Sequence, residues 1–323
     1  MVKIAPRDAT IFSEQDFAFA EDNAAFVTAI LGRASANGSG DSFYDLGANG
    51  GPNARGWIEV EGAFLSARDP AATPAFRDTA GGVQAGADVD LSGGLRLGAA
   101  AGYEDEHLSD SLGGSGDATV ARVSGYGSWT LGQIGLSAAV AYDYGWDNSA
   151  RAAGFGVSTT SRRTDEISGA LQASTSFTLA DVLVAPSAGV ILAHQDGGAF
   201  AETNSRSAAF AITGAPQGFD TAAPFAEVDV SHRYDAGGGL SLTPDASLGY
   251  RYDAAAGGEA FTLTAGDGTP FYGNRVGLDK SSAIAGASLT AHQGQWTFFL
   301  KYRADIAGNW DWQSVQGGLR MVF

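Results

Sequence analysis

The chain has no cysteine among its 323 residues, which excludes a disulfide framework and thiolate metal sites. Basic residues are scarce, 19 Lys and Arg against 36 Asp and Glu, giving a formal net charge of -17. So acidic a chain repels phosphate, which excludes nucleic acid as a partner. A basic amphipathic stretch of the kind that lies on anionic membranes is also missing. No run of about 18 apolar residues occurs, so no transmembrane helix is predicted. The first residues, MVKIAPRDATIF, lack the charged start, apolar run and small-residue cleavage site of a secretory signal, so an exported protein with this sequence is expected to be part of a longer one. What is abundant is small or aromatic: 46 Gly, 18 Phe, 10 Tyr and 6 Trp. That composition suits packed β structure better than a helical bundle.

Periodicity gives the architecture. In the last eleven residues Val315, Leu319, Met321 and Phe323 alternate with Ser314, Gln316, Gly318 and Arg320, a strand with one oily and one wet face. The same alternation runs through eleven earlier stretches from Arg55 onward. Ile134, Leu136, Ala138, Val140, Tyr142, Tyr144 and Trp146 oppose Ser137, Asp143 and Asp147; Trp296, Phe298, Leu300 and Tyr302 oppose Thr297, Lys301 and Arg303. Ile191 and Ile284 interrupt two of the rows. Twelve strands is an even number, as single-chain bacterial membrane barrels require, and alternating rows average to the unremarkable mean hydropathy of -0.04.

The connections are expected to alternate too. Tight turns fall at 92–94, 131–133, 180–181, 236–238 and 292–294, with long loops near 66–79, 105–117, 148–163, 196–222, 254–279 and 304–312. If the oily rows face lipid, then Arg96, Arg122, Asp143, Glu227, Asp229, Arg251, Lys301, Arg303 and Arg320 line a polar lumen. Tyr103, Trp129, Trp146, Tyr252, Trp296 and Tyr302 stand where interfacial girdles form. A soluble sandwich, the competing architecture, needs the rows reversed and leaves the loop asymmetry without a cause. Ahead of the barrel, Ser13 followed by Asp16 caps a helix over about 14–34, and the Gly-, Asn- and Ser-rich residues 35–54 form a linker. The domains are therefore 1–54, linker and helix, and 55–323, an all-β, twelve-stranded antiparallel transmembrane barrel with the helix in its lumen.

A helix, a Gly-rich linker and about twelve strands ending on a C-terminal Phe resemble the translocator β-domain of autotransporters, the type V secretion proteins. The stretches that carry the likeness are Trp57 at the first strand, GVQAGADVDL, RLGAAAGYEDE, SGYGSW and LRMVF, in that order over about 20–323. The resemblance implies a monomer in the outer membrane of a Gram-negative bacterium, surrounded by lipid, that exports or displays a passenger attached upstream. It implies that Phe323, Met321 and Leu319 are read by the barrel-assembly machinery. Members that release the passenger cut near the helix, sometimes at an asparagine, and Asp22 and Asn23 lie about there; polar residues on an ordinary helix are the competing account of that pair. A stand-alone porin-like channel or adhesin, with the helix as a plug and the loops at 196–222 and 254–279 as its binding surface, is the alternative function.

Enzymatic chemistry finds little support. Gly40-Asp41-Ser42 with Asp45 and Gly47 resembles the nucleophile block of GDSL esterases, but no apolar strand precedes it, and Asp229 and His232 fall on opposite faces of a strand. His107, His194, His232 and His292 have no metal-ligand spacing. Asp105, Glu106 and Asp110 read as solvated loop acids with at most weak affinity for a hard cation. No catalytic residue, metal or cofactor is expected.

Overall fold

The computed structural model describes residues 9–34, 54–68, 74–153, 156–255, 261–274 and 276–323. One helix, α1 (Ile11–Ala34), precedes twelve long strands: β1 (Ala54–Ala67), β2 (Phe76–Leu91), β3 (Leu95–Asp110), β4 (Ser115–Leu131), β5 (Ile134–Ala152), β6 (Val157–Thr175), β7 (Val182–Gly197), β8 (Gln217–Ser231), β9 (Leu240–Tyr252), β10 (Ser281–Gln293), β11 (Trp296–Ile306) and β12 (Trp310–Val322). Each pairs antiparallel with its chain neighbours, and β12 returns to β1 in an unbroken register from Arg55 opposite Val322 to Ala67 opposite Trp310. The ring is a closed twelve-stranded barrel. Closure matters because an open edge in hydrocarbon would leave a row of backbone N–H and C=O groups without partners.

The outer face is the oily one. Val60, Val123, Val140, Leu171, Leu248 and Leu300 are all exposed there, and the alternate positions are buried. Tyr103, Trp129, Trp146, Tyr252, Trp296 and Tyr302 also stand on the outside. The turn at Ala180-Asp181 puts both residues at positive φ, 49° and 68°, the handedness that a two-residue hairpin demands.

Three expected loops turn out to be strand. β3 runs to Asp110 and β4 starts at Ser115, β5 and β6 are 19 residues each and meet across 153–156, and β11 and β12 are separated by only three residues. A membrane needs about 9–11 residues per strand, so these strands project well past it. Beyond the lipid both faces of a strand are polar or mixed, and the oily alternation that marks a strand in the sequence disappears. The outward rows switch at Tyr103 to Asp105, Trp146 to Asn148 and Ile167 to Asp165. Of the longer expected loops, 198–216 and the described parts of 253–280 remain connections. From them Phe200–Ala201, Ile212–Gly214, Phe261–Ala265 and Pro270–Gly273 build a separate four-stranded sheet. The linker read at 35–54 lies outside the described residues apart from Ala54, which opens β1.

The helix starts earlier than its expected cap. The carbonyl of Thr10 accepts the first helical bond, from Glu14 N at 2.9 Å, and the Ser13 hydroxyl donates to the same carbonyl at 2.9 Å. Ser13 is thus inside the first turn, because a tertiary contact to the carbonyl of Asn274 at 3.1 Å holds it there in preference to a capping geometry.

Candidate functional site: the helix-filled lumen

α1 is apolar or buried nearly all round because the barrel surrounds it. At the loop rim Ile11, Phe12 and Ala18 pack with Leu65, Phe76, Leu108, Phe200, Ile212, Leu263 and Trp310. The Phe12 and Phe200 rings stand 4.1 Å apart, and Phe17 meets Phe76 and Trp310 edge-on at 6.3 and 5.8 Å. The four-stranded sheet is held against this end by Glu202, which takes a two-point ion pair from buried Arg151 at 2.7 and 2.6 Å and accepts from Ile212 N at 2.7 Å.

Nearer the turn rim a second apolar group joins Phe26, Val27, Ile30, Leu31 and Ala34 to Trp57, Tyr126, Ala139, Ile191, Phe225 and Ile284. Ile191 and Ile284, the two breaks in alternation, are inward side chains packed among these helix residues. The lumen is therefore not uniformly polar, as the sequence suggested. Where the helix fills it, burial favours apolar contacts of about 25 cal/mol per Å². Small residues make that fit: a Cβ at Gly86 would fall 2.6 Å from the Trp57 ring.

Most charged and amide side chains of the helix meet a barrel partner, whereas both oxygens of the buried Glu14 carboxylate lack one. Asp16 pairs with Arg162, Glu21 with Arg251, and Arg33 with Glu59 while lying 4.3 Å over the Trp57 ring. Asp22 Oδ1 accepts from Trp312 Nε1 at 2.7 Å. Asn23, fully buried, accepts through its side-chain oxygen from Arg122 Nε at 3.2 Å and Nη2 at 3.0 Å. Arg122 is also 2.7 Å from Glu104 and 3.2 Å from Asp143.

The nine predicted lumen charges all occupy inward positions, but they do not act as one set. Arg96 pairs with Asp90 at 2.9 Å near the turn rim, beside Arg55 and Asp88. Arg122 and Asp143 share the centre. Arg251 and Arg303 flank Asp305 at 3.3 and 3.0 Å, and Arg303 reaches Glu227 at 3.3 Å. Glu227, Asp229, Lys301 and Arg303 line a cavity of about 90 Å³ on the β8–β11 side of the helix, facing Ala25, Thr28, Ala29 and Gly32. Those four small side chains leave the gap. Arg320 lies on β12 between Thr297 of β11 and Trp57 of β1.

The partners that the sequence reading missed, Arg162, Glu166 and Asp305 among them, share the parity of the charges it found; Asp147, read on the wet face, lies among them. Arg162 was lost inside an expected loop. Glu106, read as a solvated loop acid, is buried on the inner face of β3, because β3 continues past the lipid. Asp229 faces inward, whereas His232 is at the turn rim with Nδ1 2.7 Å from the Asp181 carbonyl oxygen, so the two do not meet. Residues 40–47 lie outside the described residues. His107 and His194 sit on the outer surface, 2.7 Å from Asp117 and Asp220.

At the chain end, Phe323 N donates to Ala54 O at 2.9 Å, closing the last rung between β12 and β1. Its ring is largely exposed and rests over Gly56, where a Cβ would touch it at 3.4 Å. Leu319 and Met321 continue the same outward row, with Met321 opposite Gly56 on β1 and Trp296 on β11.

The fold has close counterparts. The translocator domain of the autotransporter NalP from Neisseria meningitidis matches over 98% of this chain and 100% of its own, with a TM-score of 0.76 at 14% identity. The β-domain of the Bordetella autotransporter BrkA covers 84% and 99%, with a TM-score of 0.65 at 18% identity. The transport unit of AIDA-I from Escherichia coli covers 99% and 100%, with a TM-score of 0.54 at 12% identity. No curated protein sequence matches the chain. The sequence model of the autotransporter β-domain matches residues 56–303, more than two thirds of the molecule. The chain belongs to the autotransporter β-domain family, barrels of the Gram-negative outer membrane.

Proposed function

We propose that this barrel is a translocator that exports or displays a passenger joined to the N-terminal side of α1. The observation that carries the reading is the threading of the helix. Its C-terminal end reaches the turn rim, where β1 begins, and its N-terminal end meets Phe76, Phe200 and Trp310 at the loop rim. Polypeptide preceding α1 is thereby directed out through the loop rim, so the lumen is the route that a passenger takes. Until the passenger is released, the helix is held as a plug by ion pairs along its length and by the apolar collar at its outer end. A stand-alone pore or adhesin gains nothing from a helix gripped at both rims.

On this reading the barrel acts as a monomeric transport module and not as an enzyme. It requires no cofactor, and its C-terminal row of Leu319, Met321 and Phe323 is what the assembly machinery engages. Release of the passenger is placed at Asn23. With its side-chain oxygen fixed by Arg122, the amide Nδ2 attacks the Asn23 backbone carbonyl. The Nδ2–C bond forms as the C–N bond to Ala24 breaks, and one proton passes from Nδ2 to the Ala24 nitrogen. The products are a succinimide at residue 23 and a free amine at residue 24.

The test is to place a signal sequence and an epitope tag ahead of residue 9 and express the protein in a Gram-negative host. Antibody labelling of intact cells supports export. A tag reached only after the outer membrane is opened overturns it.

A further inference from the structure

We propose that the lumen contains a hard-cation site, formed by Asp22 of α1 with Glu104 and Glu106 of β3, that takes a calcium-sized divalent ion and fastens the helix to the barrel wall. One carboxylate oxygen from each residue lies within 4.8 Å of the others, and all three residues are buried. Oxygens within that reach of one another can share a hard cation, and calcium, with its flexible shell at about 2.3–2.6 Å, tolerates such a set better than magnesium, which demands a near-ideal octahedron.

Like Glu14 and Glu166, whose carboxylate oxygens also have no donor, this group is short of cations beside the paired acids of the lumen. Asp16, Glu21, Glu59 and Asp88 each have a guanidinium at contact distance. Around the cluster, Arg122 is the one guanidinium in range among the described residues, and it is divided among Glu104 at 2.7 Å, Asp143 at 3.2 Å and the Asn23 side chain. It stands 3.9 Å from Glu106. Asp22 Oδ1 is occupied by the Trp312 indole, which leaves Oδ2 with no hydrogen-bond donor; Glu106 Oε1 has none either. Both atoms are on residues more than nine-tenths buried, at 4% and 7% exposure. Asp78 of β2, at 3% exposure, adds a further undonated oxygen, Oδ1, next to the group.

Carboxylates held together in a low-dielectric interior repel one another unless a positive charge joins them. A divalent ion supplies it and coordinates the oxygens that lack donors. A cavity of about 10 Å³ lined by Asp78, Glu106 and Gln15 adjoins the site; this is about the volume of one water, and calcium commonly completes its shell with water. Asp22 belongs to the helix and Glu104 and Glu106 to the wall, so the ion bridges plug and barrel.

Terbium reports on such a site, because a nearby indole sensitises its emission and Trp312 touches Asp22. The purified barrel in detergent, free of chelator, is titrated with terbium and then with calcium, with heat-modifiability on gels confirming that every variant is folded. The wild type should give sensitised emission that calcium displaces. Glu106→Gln should weaken terbium binding by roughly tenfold or more, since affinity follows the ligand charge count. Trp312→Phe should abolish the sensitised signal while the barrel stays folded. Wild-type barrel without sensitised emission overturns the site, as does emission that survives both substitutions, which would place the ion on surface acids. If Glu106→Gln does not insert, Trp312→Phe and calcium displacement in the wild type decide alone. Signal sequence and tag play no part here, so failure of this site leaves the export reading standing.

Discussion

Trp312 Nε1 donates a 2.7 Å hydrogen bond to Asp22 Oδ1, joining the last strand of the barrel to the middle of a helix 290 residues earlier. The same residue sits at the closing seam, since Trp312 pairs through β12 with Leu65 of β1. Helix docking and barrel closure are thus linked at one side chain. The polar contacts of α1 with the wall are all made inside the lumen, and the proposed plug rests on them.

Removal of residues 1–50 should therefore raise single-channel conductance in planar bilayers. The 90 Å³ cavity beside Ala25, Ala29 and Gly32 admits water but is far smaller than the lumen freed by deleting a 24-residue helix. Equal conductance with and without the helix would remove the plug from the account.

Phe323 completes the β12–β1 seam through its backbone and covers Gly56 with its ring. Its exposed side chain contributes little to the folded barrel, so deletion of Phe323 should lower the amount of barrel in the outer membrane several-fold. The barrel that does insert should keep its normal heat-modifiability. A deletion that leaves the yield unchanged and lowers the melting temperature would show that the residue serves stability and not assembly.

Much of this was legible in the residues and some was not, for a definable reason. Within the lipid, each strand has one environment per face, so alternation reports orientation; Arg122, Asp143 and Arg251 were all found by parity. Past the lipid, Asp105, His107 and Ser109 are wet while Glu106 and Leu108 are buried, and the oily row that marks a strand vanishes. Arg162, Glu106 and the cap sheet were lost for that reason. Ile191 and Ile284 carried usable information, because an apolar residue on the wet face of a barrel strand needs a partner in the lumen.

Asn23→Ala removes the only side-chain nitrogen that the proposed cleavage uses. The passenger should then remain joined to the barrel as one full-length species on denaturing gels, with surface exposure unchanged. Asn23→Asp, which keeps a carbonyl but lacks the amide nucleophile, should slow release strongly. Wild-type processing in both variants would place the cut elsewhere.

Phe200→Ala tests the outer collar. Phe200 is 7% exposed and stacks 4.1 Å from Phe12, and truncating a buried phenylalanine costs about 3–5 kcal/mol where the site cannot collapse. The loss should fall on the local cap. Protease should cut within 198–216 of the variant while the barrel band stays intact. Equal resistance of wild type and variant would show that the sheet closes without this contact.

The last expectation separates the two faces of one strand. Leu171 and Gln172 are neighbours on β6; Leu171 is 57% exposed on the outer surface, and Gln172 points inward beside the cavity. Arginine on the lipid face near mid-membrane costs about 2–4 kcal/mol, because no water solvates the guanidinium there. Leu171→Arg should accordingly lower barrel stability by that amount in a denaturant titration from lipid vesicles. Gln172→Arg should cost less than about 1 kcal/mol, since the lumen already carries Glu227, Asp229 and Asp245 along the same cavity. In a soluble sandwich the order would invert, with arginine free on the outer face and disruptive on the inner one. The sign of the difference between these two variants therefore decides which face of the sheet meets hydrocarbon.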